Sequence, residues 1–550
     1  MLQGLKRRDP RRESGARPRP PAPDRAGRAG DPAPRTGAVA ALTSPVALLA
    51  AVAFCYALAQ IFLTGPRMGL GYDETVYVSQ FSLNGKPAGF HASRGWGTPV
   101  LAAPVVSLTD SIVALRMYMT TVSAVLLFLA FRIWLPLRPG YAVPVAAALF
   151  AAWWPSVFYG HEVMPNLYTA LGTVALTGLA LRAAAPGARR RPLLLAAVAV
   201  VAAVLPFFRP SDAMIVAVAV GAVTAVMLLS RARRRPAFLV VLALGAGSAV
   251  AFGQWVLEAL LTFGGIRERV ELGTQNFGEV RWLVGHHIRA LDGPTLCSGP
   301  VGCGPVPVAG VAWLTVFLLL AAGGLAAAWR REHRIALVTA VVVGTCIALA
   351  YLYYPAFVAP RYLAPAYALW SIAAAEGFTR LLAALRHRAG TASAVACCAL
   401  LTGGYLHVQN DYLAANVIPT ERSRSGYQRL ADELRKIEFR RPCLIYGWNA
   451  PQVAYLLNCE ARSALSGKPF PVTPDYILDQ RIKSGYHIMA IFREDVDMSA
   501  PYLRNWPRHL LTSGGWYARI NHAVRPPAPP KAAGRKGARG RVNSEQTPRP

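Results

Sequence analysis

Two adjacent carboxylates, Asp73 and Glu74, lie just beyond the first long apolar run, in the stretch Gly71-Tyr72-Asp73-Glu74-Thr75-Val76-Tyr77. A carboxylate within hydrogen-bond reach of a hydroxyl can take its proton while the oxygen attacks an electrophile. Guanidinium forks match phosphate oxygens and can receive the charge of a phosphate leaving group, and Arg94, Arg209 and Arg361 all stand near the ends of apolar segments. His161, Glu162 and Asp212 share that placement. Ionisable groups at a membrane edge are expensive and default to functional candidates. His and carboxylates also suit Zn²⁺ or Mn²⁺, so Glu74, His161 and Glu162 are candidates for a divalent metal, although an adjacent His-Glu pair is no recognised metal motif.

Each group also has a structural explanation. Asp73 precedes Glu74–Leu83, a segment that can be helical, and Asp is a favoured N-cap. Arg209 and Asp212 can pair with each other at a helix break made by Pro206 and Pro210. Arg361 can snorkel to headgroups, and the clusters Trp153-Trp154 and Tyr351-Tyr353-Tyr354 are expected to anchor the membrane interface.

The elements that must position these residues follow from composition. Of 550 residues, 54% are hydrophobic and 16% charged, which points to a polytopic membrane protein. The net charge of +30 sits in short segments between apolar runs, so it indicates orientation in a bilayer and argues against a nucleic-acid partner. Residues 1–38 form a basic, Pro- and Gly-rich stretch expected to be a disordered cytoplasmic tail. Apolar runs near Thr43–Leu63, Ser111–Leu135, Ala142–Tyr159, Leu167–Leu181, Leu193–Phe208, Ser211–Leu229, Ala237–Leu257, Val308–Trp329, Ile335–Tyr354, Tyr362–Leu382 and Ala392–Val408 predict about eleven spans. Starting from a cytoplasmic N-terminus, every predicted inner loop is Arg-rich. Two long outer loops, 64–110 and 258–307, then carry or flank the candidate residues, and Pro99–Leu108 is expected to lie at the membrane surface.

An odd span number leaves the C-terminal part outside. Residues 409–523 pattern as a small α/β domain, with an amphipathic helix at Ser425–Lys436, strands at Pro442–Tyr446, Tyr486–Phe492 and Trp516–Ile520, and a helix at Ala450–Leu457. Residues 524–550 are again basic and Pro-rich, and are expected to be disordered. Of eight cysteines, Cys297 with Cys303 and Cys443 with Cys459 fall in outer regions; no His or second Cys at ligand spacing accompanies either pair, so disulfides are expected rather than zinc.

Tyr72-Asp73-Glu74 resembles the aromatic-Asp-Glu motif in the first outer loop of the GT-C superfamily, especially the branch of protein O-mannosyltransferases and lipid A aminoarabinose transferases. Pro360-Arg361-Tyr362-Leu363-Ala364-Pro365-Ala366-Tyr367 is similar to the Arg-Tyr-Leu-x-Pro segment that opens a late helix in these enzymes. His161-Glu162-Val163-Met164-Pro165 falls where they carry an acidic residue outside the third helix. The resemblance covers residues 43 to 408. It implies an α-helical polytopic GT-C-like protein of the plasma membrane, which transfers a sugar with inversion from a polyprenyl phosphate to an extracytoplasmic glycan, lipid or protein. By the same resemblance Asp73 is the general base. Glu74 joins it as a catalytic candidate, Arg361, Arg209 and Arg94 are candidates for the donor phosphate, and His161, Glu162 and Asp212 are candidates for substrate or metal. The rival expectation is a transporter or flippase of lipid-linked saccharides, which would place its binding groups on broken helices near the bilayer midplane.

Overall fold

The computed structural model describes residues 43–521 except 84–85, 275–279, 299–302, 330, 332, 356, 438–440, 448, 463–474, 494–502, 504 and 513–514. The expected tails at 1–38 and 524–550 lie outside the described residues.

Every expected apolar run is helical. Among the described residues eight helices are long and apolar enough to cross a membrane, or nine if a bent pair counts as one span. The difference from about eleven arises at three places. Ala142–Ala151 and Trp154–Gly160 are bent by 71°, where Trp153 is extended and Pro155 opens the second half. Pro165–Ala183 is buried along most of its length, so other helices rather than lipid surround it and a row of threonines is tolerated. The hydroxyls of Thr169, Thr173 and Thr177 each donate to the carbonyl four residues earlier. The last two expected spans lie in one helical stretch, Ala364–Lys436, interrupted only at Gly390, whose φ of 86° suits a residue without Cβ.

That stretch continues beyond the apolar part without a break, so the expected amphipathic helix at Ser425–Lys436 is its end. Leu430, Ala431 and Leu434 pack on a five-stranded sheet. Four short strands precede the sheet: β1 (Val280–Trp282), β2 (Cys297–Ser298), β3 (Tyr353–Pro355) and β4 (Phe357–Val358). They pair β1 with β3 and β2 with β4, which ties the second long loop to the segment before Arg361. The sheet itself comprises β5 (Cys443–Gly447), β6 (Glu460–Arg462), β7 (His487–Arg493), β8 (Arg508–Leu510) and β9 (Trp516–Ile520), in the order β6-β5-β7-β9-β8. β5 runs parallel to β6 and β7, while β9 is antiparallel to β7 and β8. Central β5 and β7 are buried on both faces, Ile445 and Met489 on one and Leu444 and Ile488 on the other, as the near-continuous apolar sequence of β7 requires. Both expected disulfides are formed, Cys297–Cys303 and Cys443–Cys459.

Trp153 and Trp154 do not anchor an interface. Both are buried, and Trp154 Nε1 donates to the carbonyl of Leu291 at 2.8 Å. Tyr351 is likewise buried, whereas Tyr353 is exposed.

Helices pack closely where small residues meet. A Cβ on Gly377 would stand 1.9 Å from the carbonyl oxygen of Leu320, and one on Gly324 would stand 2.1 Å from that of Ala373, the close approach that small residues permit between membrane helices. Gly377→Val therefore forces Val308–Ala328 and Ala364–Lys436 apart. The expected cost is about 1–3 kcal/mol, measured as a lower thermal midpoint of the detergent-solubilised protein; an unchanged midpoint would refute this packing.

Candidate active site

The helix Tyr72–Val78 starts with Gly71 as its N-cap, and Glu74 turns back so that Oε2 accepts the Gly71 N–H at 2.9 Å. The capping role considered for Asp73 thus belongs to Glu74, in the manner of the acidic half of a capping box. The Arg116 guanidinium grips Glu74 at 2.5 and 3.0 Å, and both side chains are 1% exposed. Arg116 also donates to the carbonyls of Met68, Gly69 and His161. The Val163 N–H donates to Glu74 Oε1 at 2.9 Å. Arg424, from the long C-terminal helix, lies 3.1 Å from Glu74 Oε2 and donates to Glu162 Oε1 at 2.6 Å. A Cβ at Gly71 would come within 2.9 Å of Arg424 Nη2, so glycine makes room for this arginine.

Burial opposes ionisation of Glu74, but Arg116 and Arg424 outweigh it and bring the carboxyl down to about 2. Neighbouring Glu162 goes the other way: burial lifts it to about 7 despite Arg424, and the Glu74 charge adds to the lift. Burial, and then the Arg116 charge, push the His161 pKa well below its ordinary value, so the ring is neutral at physiological pH. Its Nδ1 lies 3.2 Å from Thr64 Oγ1.

Asp73 differs from both glutamates. Its side chain is 39% exposed and accepts from Arg94 Nη2 at 2.6 Å, while Arg94 lies over the Tyr77 ring at 4.9 Å. Burial raises the Asp73 pKa, but Arg94 and then Arg361 outweigh it and hold the carboxyl below its ordinary value. Arg361 donates to Tyr159 Oη at 2.7 Å and to the carbonyl of Thr295 at 2.6 Å; Thr295 stands two residues before Cys297, where the disulfide to Cys303 and strand β2 begin. The Tyr362 ring has Arg361 and Arg209 each 5.3 Å from its centroid, and stacks on Tyr351 at 5.2 Å. Arg209 binds Asp212 at 3.0 Å and Tyr351 Oη at 2.7 Å, and Tyr351 donates to Asp212 at 2.5 Å.

Eight residues singled out in the sequence thus form two joined groups: Asp73, Arg94, Arg209, Asp212 and Arg361 on one side, and Glu74, His161 and Glu162 on the other. Among the described residues no group of three His, Cys, Asp or Glu side chains could hold a metal ion; Glu74 and Glu162 are turned toward arginines instead. Glu258, also at this end of the bundle, ties Trp96 and Arg269 at 2.7 and 3.0 Å rather than joining Asp73. Sequence reasoning missed Arg116, Arg424, Tyr159 and the position of Tyr351. Arg116 carried a signal, a lone arginine just inside a long apolar run. Arg424 carried none, since the segment around it looks like any charged helix surface.

No protein-family model and no curated protein matches the chain. Solved structures do. ArnT from Cupriavidus metallidurans bound to undecaprenyl phosphate aligns with a TM-score of 0.61 at 14% identity, over 88% of this chain and 98% of that one. This is the GT-C fold. The Archaeoglobus fulgidus oligosaccharyltransferase in its apo form gives 0.52 at 11% identity, over 81% of this chain and 69% of that one. The archaeal oligosaccharyltransferase AglB from Archaeoglobus fulgidus in complex with an inhibitory peptide and a dolichol-phosphate gives 0.51 at 11%, over 80% and 69%. At these identities the shared property is the fold.

The two glutamates predict opposite pH behaviour. The Glu74 contribution is present above its unfolded value of 4.5 and is lost as pH falls through about 2. The raised Glu162 contributes below 4.5, and its contribution is lost as pH rises through about 7. Thermal midpoints of wild type and Glu162→Gln, compared from pH 5 to 8, should show wild type losing stability relative to the variant as pH rises; parallel curves would remove the shift assigned to Glu162. Arg116→Met, which leaves Glu74 without its main partner, should cost about 3–5 kcal/mol by the same measurement.

Proposed function

We propose that the chain is a membrane glycosyltransferase that moves a sugar from a polyprenyl-phosphate donor to an extracytoplasmic hydroxyl with inversion, and that Asp73 is the general base. One observation carries this reading: Asp73 keeps an accessible carboxylate among arginines that fit a phosphate, while its neighbour Glu74 is buried and spent on structure. The likeness to structures crystallised with undecaprenyl phosphate and with dolichol-phosphate supports the choice of donor.

In this mechanism the acceptor hydroxyl loses its proton to Asp73 as its oxygen attacks the anomeric carbon. The bond from that carbon to the phosphate oxygen breaks on the opposite face, and its electron pair leaves with the polyprenyl phosphate. Arg361, Arg209 and Arg94 stabilise the charge that collects there. Arg94 has a double effect. In the free protein it holds Asp73 ionised; when the donor phosphate competes for the guanidinium, the carboxylate becomes a stronger base at the moment a proton must be taken.

The orientation follows the charge distribution. Arg138, Arg189 to Arg191, Arg231 to Arg235, Arg331 with Arg334, and Arg386 with Arg388 fall at alternate junctions between the apolar segments, which favours a cytoplasmic N-terminus with Asp73 and the sheet outside. Residues 39–408 are then the catalytic membrane part and 409–523 the outer part, with one continuous helix crossing the boundary between them. A transporter is less well supported, because the candidate groups gather at helix ends.

Asp73→Asn should lower release of polyprenyl phosphate from a polyprenyl-phosphate sugar by about 10²–10⁴-fold with the thermal midpoint unchanged; transfer at the wild-type rate would falsify the base assignment. Arg361→Lys should raise the donor KM by roughly tenfold, the scale of one charge-assisted hydrogen bond, and an unchanged donor KM would remove Arg361 from the phosphate site.

A further inference from the structure

A cleft of about 590 Å³ opens between residues 292–295 and 303–305, the long C-terminal helix and the sheet domain, within the range of about 300–1,000 Å³ usual for small-ligand sites. Two of its lining residues border the catalytic groups: Tyr72 precedes Asp73 in the chain, and Thr295 accepts the hydrogen bond of Arg361. The remaining polar lining is mainly amides and hydroxyls, including Asn416, Thr420, Asn449 and Gln452. Gln452 is 5% exposed, and its Oε1 has no hydrogen-bond partner among the described residues. A buried amide oxygen left unmatched costs about 1–3 kcal/mol unless a donor arrives, and a hydroxyl is such a donor.

Charge narrows the ligand. Among the described residues the lining holds one acid, Asp292, and one cation, Arg424. Arg424 is committed to Glu74 and Glu162 at 3.1 and 2.6 Å, so a phosphorylated or carboxylated acceptor meets no spare positive charge. Side-chain amides and hydroxyls both donate and accept, which matches the paired donor and acceptor character of sugar hydroxyls.

We infer that this cleft is the acceptor subsite of the proposed glycosyltransferase and that it takes a neutral glycan, one of whose hydroxyls reaches Asp73. The inference rests on the transfer reading for its chemistry, but occupancy of the cleft can be measured without turnover. Asn449→Cys places a thiol in the lining, and its modification by a membrane-impermeant maleimide is followed by mass spectrometry at that position. The probes are neutral linear hexaoses of mannose, glucose and galactose, a Ser/Thr-rich octapeptide and a phosphorylated glycolipid. At least one hexaose should slow modification by fivefold or more, and this protection should disappear when Gln452→Leu, or separately Thr420→Val, is added. Protection by the peptide or by the anionic glycolipid in place of the hexaoses, or protection by none of the probes, would overturn the inference. Release of polyprenyl phosphate by the wild-type protein, measured separately, tests the transfer reading; its failure would leave any hexaose protection standing as binding alone.

Discussion

A single buried carboxylate with two arginines governs the geometry at this end of the protein. Glu74 brings together the first loop through Gly71, the helix Ile112–Arg132 through Arg116, the segment after Gly160 through Val163, and the C-terminal helix through Arg424. Removing either arginine would strand charge in a low-dielectric setting, where the penalty outweighs an ordinary surface pair many times over. The arrangement also settles the direction of Asp73. Successive helical residues are about 100° apart around the axis, so directing Glu74 into the protein leaves Asp73 facing Arg94 and open space.

The bundle repeats this economy at its other end. Glu376 is fully buried and bound by Arg138 at 2.5 Å and Arg380 at 2.9 Å, with His333 at 3.5 Å. That cluster joins helices. The contrast isolates what is unusual around Asp73: more positive charge than the local acids need, arranged around the rings of Tyr77, Tyr159 and Tyr362, next to a carboxylate that water or a substrate can reach.

Much of this could be seen in the sequence because it depends on local pattern. Apolar runs of sufficient length forecast the helices, alternating and fully apolar stretches forecast β5, β7 and β9, and cysteines without metal partners forecast the two disulfides. Asp73, Arg94, Arg209 and Arg361 stood out because charge beside apolar segments is costly. Pairing was less legible. Asp73 and Glu74 look equivalent in one dimension, and only the three-dimensional route of Arg116 and Arg424 separates a buried strut from an accessible base. The expected number of spans and the eight or nine helices that pass on length and apolarity differ only where a run is bent, where a helix is enclosed by other helices, and where two helices join at Gly390 and count as one.

Arg424 reaches the carbonyl of Gly69 across 355 positions of sequence. A chain made from its N-terminus inserts the first loop long before the residue that neutralises it exists. Until the last membrane helix has been placed, Glu74 and Glu162 share Arg116 alone and the loop lacks its final brace. The centre is therefore completed only after Arg424 has been made, so a chain cut before that residue lacks both the sheet domain and the fixed position of Glu74.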